Sequence, residues 1–149
     1  MHAPHVGQKI SQKSSSIAEK MLYLNYPCLQ GIPFLLMLPE IVRAAASDFE
    51  NEIAIDCENG VSLSYKDLDI ISDEVSGALI KRGLMEGSIL LLSLPTSIEY
   101  LIVYIAASKI GAITAGVNPR LQAPERASIC EITEPDLVIA TSELLDGIP

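Results

Sequence analysis

Between residues 83 and 140 the chain alternates apolar runs with helix-spaced patterns, and glycine or proline stands at the changes. Residues 88–94 (SILLLSL) read as a buried strand ended by Pro95. Thr96-x-x-Glu99 is a capping-box candidate for a helix with apolar residues on most faces up to Ile110, where Gly111 stops it. Residues 112–117 read as the next strand, and Asn118-Pro119 turns the chain. Pro124 suits the first turn of a helix reaching about Thr133, Pro135 breaks it, and residues 137–140 form another strand. Thr141-Ser142 then cap a final, truncated helix. This order requires parallel strands joined by right-handed crossovers. The expected class is α/β: a partial doubly wound parallel sheet flanked by helices.

A short hairpin should precede the sheet. Residues 53–56 and 61–64 are strand-like, and Asn59-Gly60 between them is a turn signal because both residues tolerate positive φ. Upstream, Ile41, Val42, Ala45 and Phe49 suggest an amphipathic helix with Pro39 in its first turn. Downstream, Ser64 and Asp67 form a capping box for a helix whose stripe is Leu68, Ile71, Val75, Ala78 and Leu79. Lys81 and Arg82 suit its dipole, and Gly83 supplies the left-handed cap. Residues 1–32 read as a partly disordered leader containing Ser14-Ser15-Ser16, with one structural unit after it.

Charge and composition exclude several classes. The net charge is −9; residues 1–50 hold four basic and four acidic residues, and residues 51–149 six and fifteen. No Lys/Arg stripe exists to meet phosphates, which argues against nucleic-acid binding. Hydrophobic content is 49%. Two explanations stay open: a parallel sheet apolar on both faces, or surface that belongs against further protein. Residues 21–37 resemble a signal peptide superficially, yet Asn25, Pro27, Gln30, Gly31 and Pro33 interrupt them and no cleavage site follows. Pro95, Glu99 and Lys109 break the run 90–117 well short of the ~20 clean residues a membrane span needs. Cys28, Cys57 and Cys130 form no C-x-x-C pair, so neither a disulfide framework nor a zinc site is supported. The expectation is a soluble protein of a reducing cytoplasm.

Candidate chemistry is sparse. Gly111 and Gly116 have phosphate-loop spacing, but Val117-Asn118 stand where Lys and Ser/Thr are required, so the glycines are assigned to capping and close packing. His2 and His5 form H-x-x-H without converging Cys, Asp or His. Asn118 and Arg120 fall just past a strand end, where doubly wound sheets place ligands. The alternative is that Asn118 makes a turn and Arg120 is a surface charge or the partner of a nearby acid. Tyr100 and Tyr104, spaced by four, read as packing residues with their hydroxyls at the rim. No catalytic, cofactor-binding or metal-binding residue is assigned.

The ordered set of segments resembles the N-terminal part of the adenylate-forming superfamily, most closely its AMP-forming acyl-CoA synthetases, the fatty-acid–CoA ligases and their relatives. The segments are 49–56 (FENEIAID), 63–68 (LSYKDL), 79–87, 94–99 (LPTSIE), 107–113 (ASKIGAI), 117–120 (VNPR) and 135–141 (PDLVIAT), so the resemblance covers roughly residues 33–149. Thr96 and Ser88 depart from the family's usual asparagine and aspartate at positions without chemistry. The resemblance implies that 33–149 is an incomplete N-terminal subdomain of an AMP-binding domain. It implies a two-step ligase: a carboxylic acid, expected to be a fatty acid, takes the adenylyl group of ATP with release of pyrophosphate, and coenzyme A displaces AMP. It implies ATP, Mg2+ and coenzyme A for the full-length enzyme and none for this segment. The phosphate loop and the other catalytic motifs would lie downstream, in the missing C-terminal part, and these residues would act as scaffold. Two alternatives remain: an adenylate-forming enzyme with another acceptor, luciferase-like or peptide-synthetase-like, and a non-catalytic α/β interaction module using an exposed sheet edge.

Overall fold

The computed structural model describes residues 37–57, 60–146 and 148. The leader with His2, His5 and Cys28 lies outside them, as does Asn59.

Helix α1 (Leu38–Asp48) carries proline in its first turn. Its buried residue is Val42, which joins Leu38, Leu68 and Ile105 in one cluster. The sequence pattern placed Ile41 and Phe49 on the buried stripe. Instead both are exposed, and Phe49 lies past the helix end with its ring 5.9 Å from that of Tyr65. Strands β1 (Ile53–Asp56) and β2 (Ser62–Ser64) form the expected antiparallel hairpin. Gly60 adopts φ 82°, and the Cys57 and Val61 backbones close the turn with a 2.9 Å hydrogen bond.

Helix α2 (Tyr65–Lys81) begins at the capping box read from sequence. The Asp67 amide donates to the Ser64 hydroxyl at 3.1 Å, and the Ser64 amide donates to the Asp67 carboxylate at 3.1 Å. The helix ends in paired reverse hydrogen bonds: Gly83, at φ 95°, donates to the Ile80 carbonyl and Leu84 to that of Leu79. Its buried face is not the purely apolar stripe expected. Ala78 is exposed, while Ser72 and Ser76 are buried beside Leu68 and Leu79. Their hydroxyls donate to the carbonyls four residues back, and Ser76 also reaches the Ala106 carbonyl at 3.0 Å. Thus two polar residues sit between helices with their donors satisfied.

Strand β3 (Ile89–Ser93) is central in a three-stranded sheet, paired parallel with β4 (Ile113–Gly116) and β5 (Leu137–Ala140). Helix α3 (Ile98–Ile110) connects β3 to β4, and α4 (Ala123–Thr133) carries the chain back across to β5. Right-handed crossovers running in opposite directions put their helices on opposite faces. The core obeys this: Leu90 and Leu92 pack with Leu79, Leu84, Val103, Ala106 and Ala107, whereas Leu91 packs with Val117 and Cys130. Leu90, Leu91 and Leu92 are fully buried, each contributing about 2 kcal/mol. Among the described residues β4 and β5 have no further strand beyond them.

Helix α3 starts one residue later than the sequence suggested. Ser97, not Thr96, is the cap, because its extended backbone (φ −149°) lets the hydroxyl accept the Tyr100 amide at 3.3 Å. Glu99 still serves this helix start: the Ser97 hydroxyl donates to it and holds its carboxyl below the usual range. The truncated helix expected after Thr141 is a single 3-10 turn, Ser142–Leu144.

Lys109, in the last turn of α3, has a side chain only 5% exposed. It donates to the Asp69 carbonyl at 2.9 Å, the Asp69 carboxylate at 2.6 Å and the Asp73 carboxylate at 2.7 Å. All three ammonium protons are therefore used, and α2 and α3 are tied. Among the described residues no helix is long and apolar enough to cross a membrane.

Candidate functional site

Open α/β sheets bind ligands outside the carboxyl ends of their strands, where the winding direction reverses. In the order β4-β3-β5 the reversal falls between β3 and β5. A crevice of about 350 Å3 lies beside it, at the carboxyl ends of β3 and β4, lined by Leu94, Thr96, Tyr100, Gly116, Val117, Asn118 and Pro119.

Each wall follows from local sequence. Pro95 ends β3 and leaves Thr96 between the strand and the Ser97 cap. One helical turn on, Tyr100 is half-buried and stacks on Tyr104 with ring centroids 6.4 Å apart and planes 8° from parallel. The Tyr100 phenol occupies the space a side chain at position 116 would need; a Cβ on Gly116 would stand 3.0 Å from the hydroxyl oxygen. Across from it the Asn118 carboxamide oxygen accepts the Arg120 amide at 3.0 Å, closing the turn after β4.

Three groups on these walls have no hydrogen-bond partner among the described residues: the Thr96 hydroxyl, the Tyr100 phenol and the Asn118 amide nitrogen. The crevice can therefore donate to a neutral or singly charged oxygen-rich group. Its lining includes no charged side chain. Arg120 is exposed just beyond the turn and forms no ion pair among the described residues, as a surface charge would.

The glycine pair with phosphate-loop spacing does not form a cradle. Gly111, at φ 80°, caps α3, and Gly116 ends β4 against Tyr100. No group of three or more His, Cys, Asp or Glu residues able to hold a metal ion exists among the described residues. The lining of this crevice offers a magnesium triphosphate neither a lysine nor a carboxylate set. Sequence reading singled out Asn118 and Arg120 and gave Tyr100 to packing. It missed Thr96 and the pairing of Gly116 with Tyr100, for which the only linear signal is proline directly after the apolar strand.

The AMP-binding enzyme family matches residues 42–149. Over 122 residues, 76% of this chain, the sequence is 35% identical to 4-coumarate–CoA ligase 5 of Oryza sativa subsp. japonica. Over 89 residues, 60% of this chain, it is 33% identical to 4-coumarate–CoA ligase CCL1 of Humulus lupulus. It spans 23% and 16% of the lengths of these two relatives. A putative long-chain-fatty-acid CoA ligase from Rhodopseudomonas palustris superposes with a TM-score of 0.71 at 25% identity, covering 76% of this chain and 29% of that one. The fatty acyl CoA synthetase of Mycobacterium tuberculosis shares the fold at 23% identity with a TM-score of 0.70, covering 75% of this chain and 23% of that one. The layered sheet, its order and the matched segments converge, and the chain belongs to the AMP-binding enzyme family.

Proposed function

We propose that residues 33–149, after a leader of residues 1–32, are the incomplete opening subdomain of an acid–thiol ligase acting in the reducing cytoplasm, where Cys57 and Cys130 remain free thiols. In that enzyme a carboxylate attacks the α-phosphorus of ATP, pyrophosphate leaves, and the thiol of coenzyme A displaces AMP from the acyl-adenylate. The observation that carries this reading is the family match across the described body, combined with a strand-end crevice that lacks charged groups. Strand ends border this crevice, and its lining carries neither a lysine nor a carboxylate for a phosphate. The role of these residues is therefore to fix strand ends and loops against which later residues assemble a site.

For the acid we take a fatty acid, supported by the resemblance and by the structural neighbours named above. A hydroxycinnamic acid is the second reading, supported by the two 4-coumarate–CoA ligases among the sequence relatives.

The test is exchange of labelled pyrophosphate into ATP, run on the 149-residue chain and on the product of the same gene read beyond residue 149. We expect no exchange by the 149-residue chain with any acid. The longer product should exchange, and a series of saturated fatty acids set against hydroxycinnamic acids distinguishes the two readings. Exchange by the short chain sinks the scaffold role; a longer product inert with every carboxylic acid sinks the ligase.

A further inference from the structure

Arg126 lies in the first turns of α4, the positive end of a helix dipole, and is only 6% exposed. A cation is doubly disfavoured there, by desolvation and by the helix amides. It forms no ion pair among the described residues. Its partners are backbone carbonyls: Nε and Nη2 donate to the Asp146 carbonyl at 3.1 and 2.7 Å, and Nη1 donates to the Leu121 carbonyl. Leu121 belongs to the turn after β4, and Asp146 to the segment after β5. One guanidinium thus spans the two loops that leave the carboxyl end of the sheet beside α4. A second contact folds the same segment inward, since Ile148 packs on the cluster of Leu91, Val117 and Cys130.

We infer that Arg126 is a latch: it holds Thr141–Asp146 against the turn 118–122 and so sets the spacing of the two loops at the proposed ligand-bearing edge. Its functional meaning rests on the ligase reading, but the latch is tested without activity. The planar fork is what the task needs, because two acceptors must be met at a fixed separation, and a point charge cannot span them.

Amide hydrogen exchange on the 149-residue chain reads the latch directly. Arg126→Leu should speed exchange in residues 118–122 and 141–146 by roughly tenfold or more, leaving α2 and α3 at wild-type protection. Arg126→Lys should give the same pattern at smaller amplitude, and it serves alone if the leucine variant does not fold. Asp146→Asn should change nothing, because the acceptor is the main-chain carbonyl. Loss of protection spread evenly over α2 and α3, or no change in either arginine variant, overturns the latch. So does an Asp146→Asn variant that behaves like Arg126→Leu, which would make the contact a carboxylate ion pair. Each of these results leaves the pyrophosphate-exchange test untouched, so the two proposals fail separately.

Discussion

On one face of the sheet, Leu90 and Leu92 lie beneath α2 and α3, helices of 17 and 13 residues. On the other, Leu91 and, by strand alternation, Ser93 lie on the side of the 11-residue α4. The first face is chemically complete. Its buried serines donate to carbonyls, and its buried lysine uses every proton on Asp69 and Asp73. The second face is not. The Ser93 hydroxyl, 0% exposed, is the one buried side-chain polar atom without a partner among the described residues. A hollow of about 340 Å3 opens beside Cys130 and Val138. Stability is therefore concentrated under α2 and α3, while the α4 face has slack.

Truncating the central strand breaks or confirms this contrast most forcefully. Leu90→Ala should cost about 4 kcal/mol and Leu91→Ala about 2.5 kcal/mol in urea unfolding, since the cost grows with the cavity that cannot collapse. Equal costs would remove the distinction between the faces. Lys109→Ala should cost about 3 kcal/mol, because it leaves the mostly buried Asp69 carboxylate unpaired. Asp73 is more than half exposed and contributes little to that figure. Ser64→Ala should lose about 1 kcal/mol at the start of α2. Ser93→Ala should be neutral or stabilising by up to about 1 kcal/mol, as it deletes a desolvated group with nothing to donate to; clear destabilisation would reveal a partner on the α4 face.

The smallest effect is a pH dependence. Hydrogen bonds from the Ser64 hydroxyl and then the Ser64 amide hold the Asp67 carboxyl below its ordinary 3.8. A depressed folded value means this contribution is full above 3.8 and fades as pH falls from there through the folded value. Asp67→Asn should flatten the acid limb of the stability profile there without altering the limb above neutrality.

What the sequence disclosed is what neighbours in the chain decide. The Ser64–Asp67 box, the Gly83 and Gly111 caps and the leucine run of β3 each depend on residues within one turn or one strand. Ser97 displaced Thr96 because a choice between adjacent caps turns on backbone angles that residue types do not encode. Ser72 and Ser76 fall outside the apolar stripe read from the sequence, yet a hydroxyl that bonds back to its own helix can be buried and lets α2 approach α3. Lys109 meets Asp69 across 40 positions, and Arg126 meets Asp146 across 20; no local pattern carries such pairs. The candidate site divided along the same line. Asn118 was placed by the turn it makes, whereas the fit of Tyr100 against Gly116 exists only once α3 is laid on β4.

Among the described residues, strands β4 and β5 each end the sheet on a row of amides and carbonyls with no strand opposite, and Ile113 on β4 is 57% exposed. Such borders are templates that accept any extended peptide, another molecule of the same kind included. Wherever such a border stays uncovered, protein concentration becomes a structural variable, because backbone pairing between molecules grows with it.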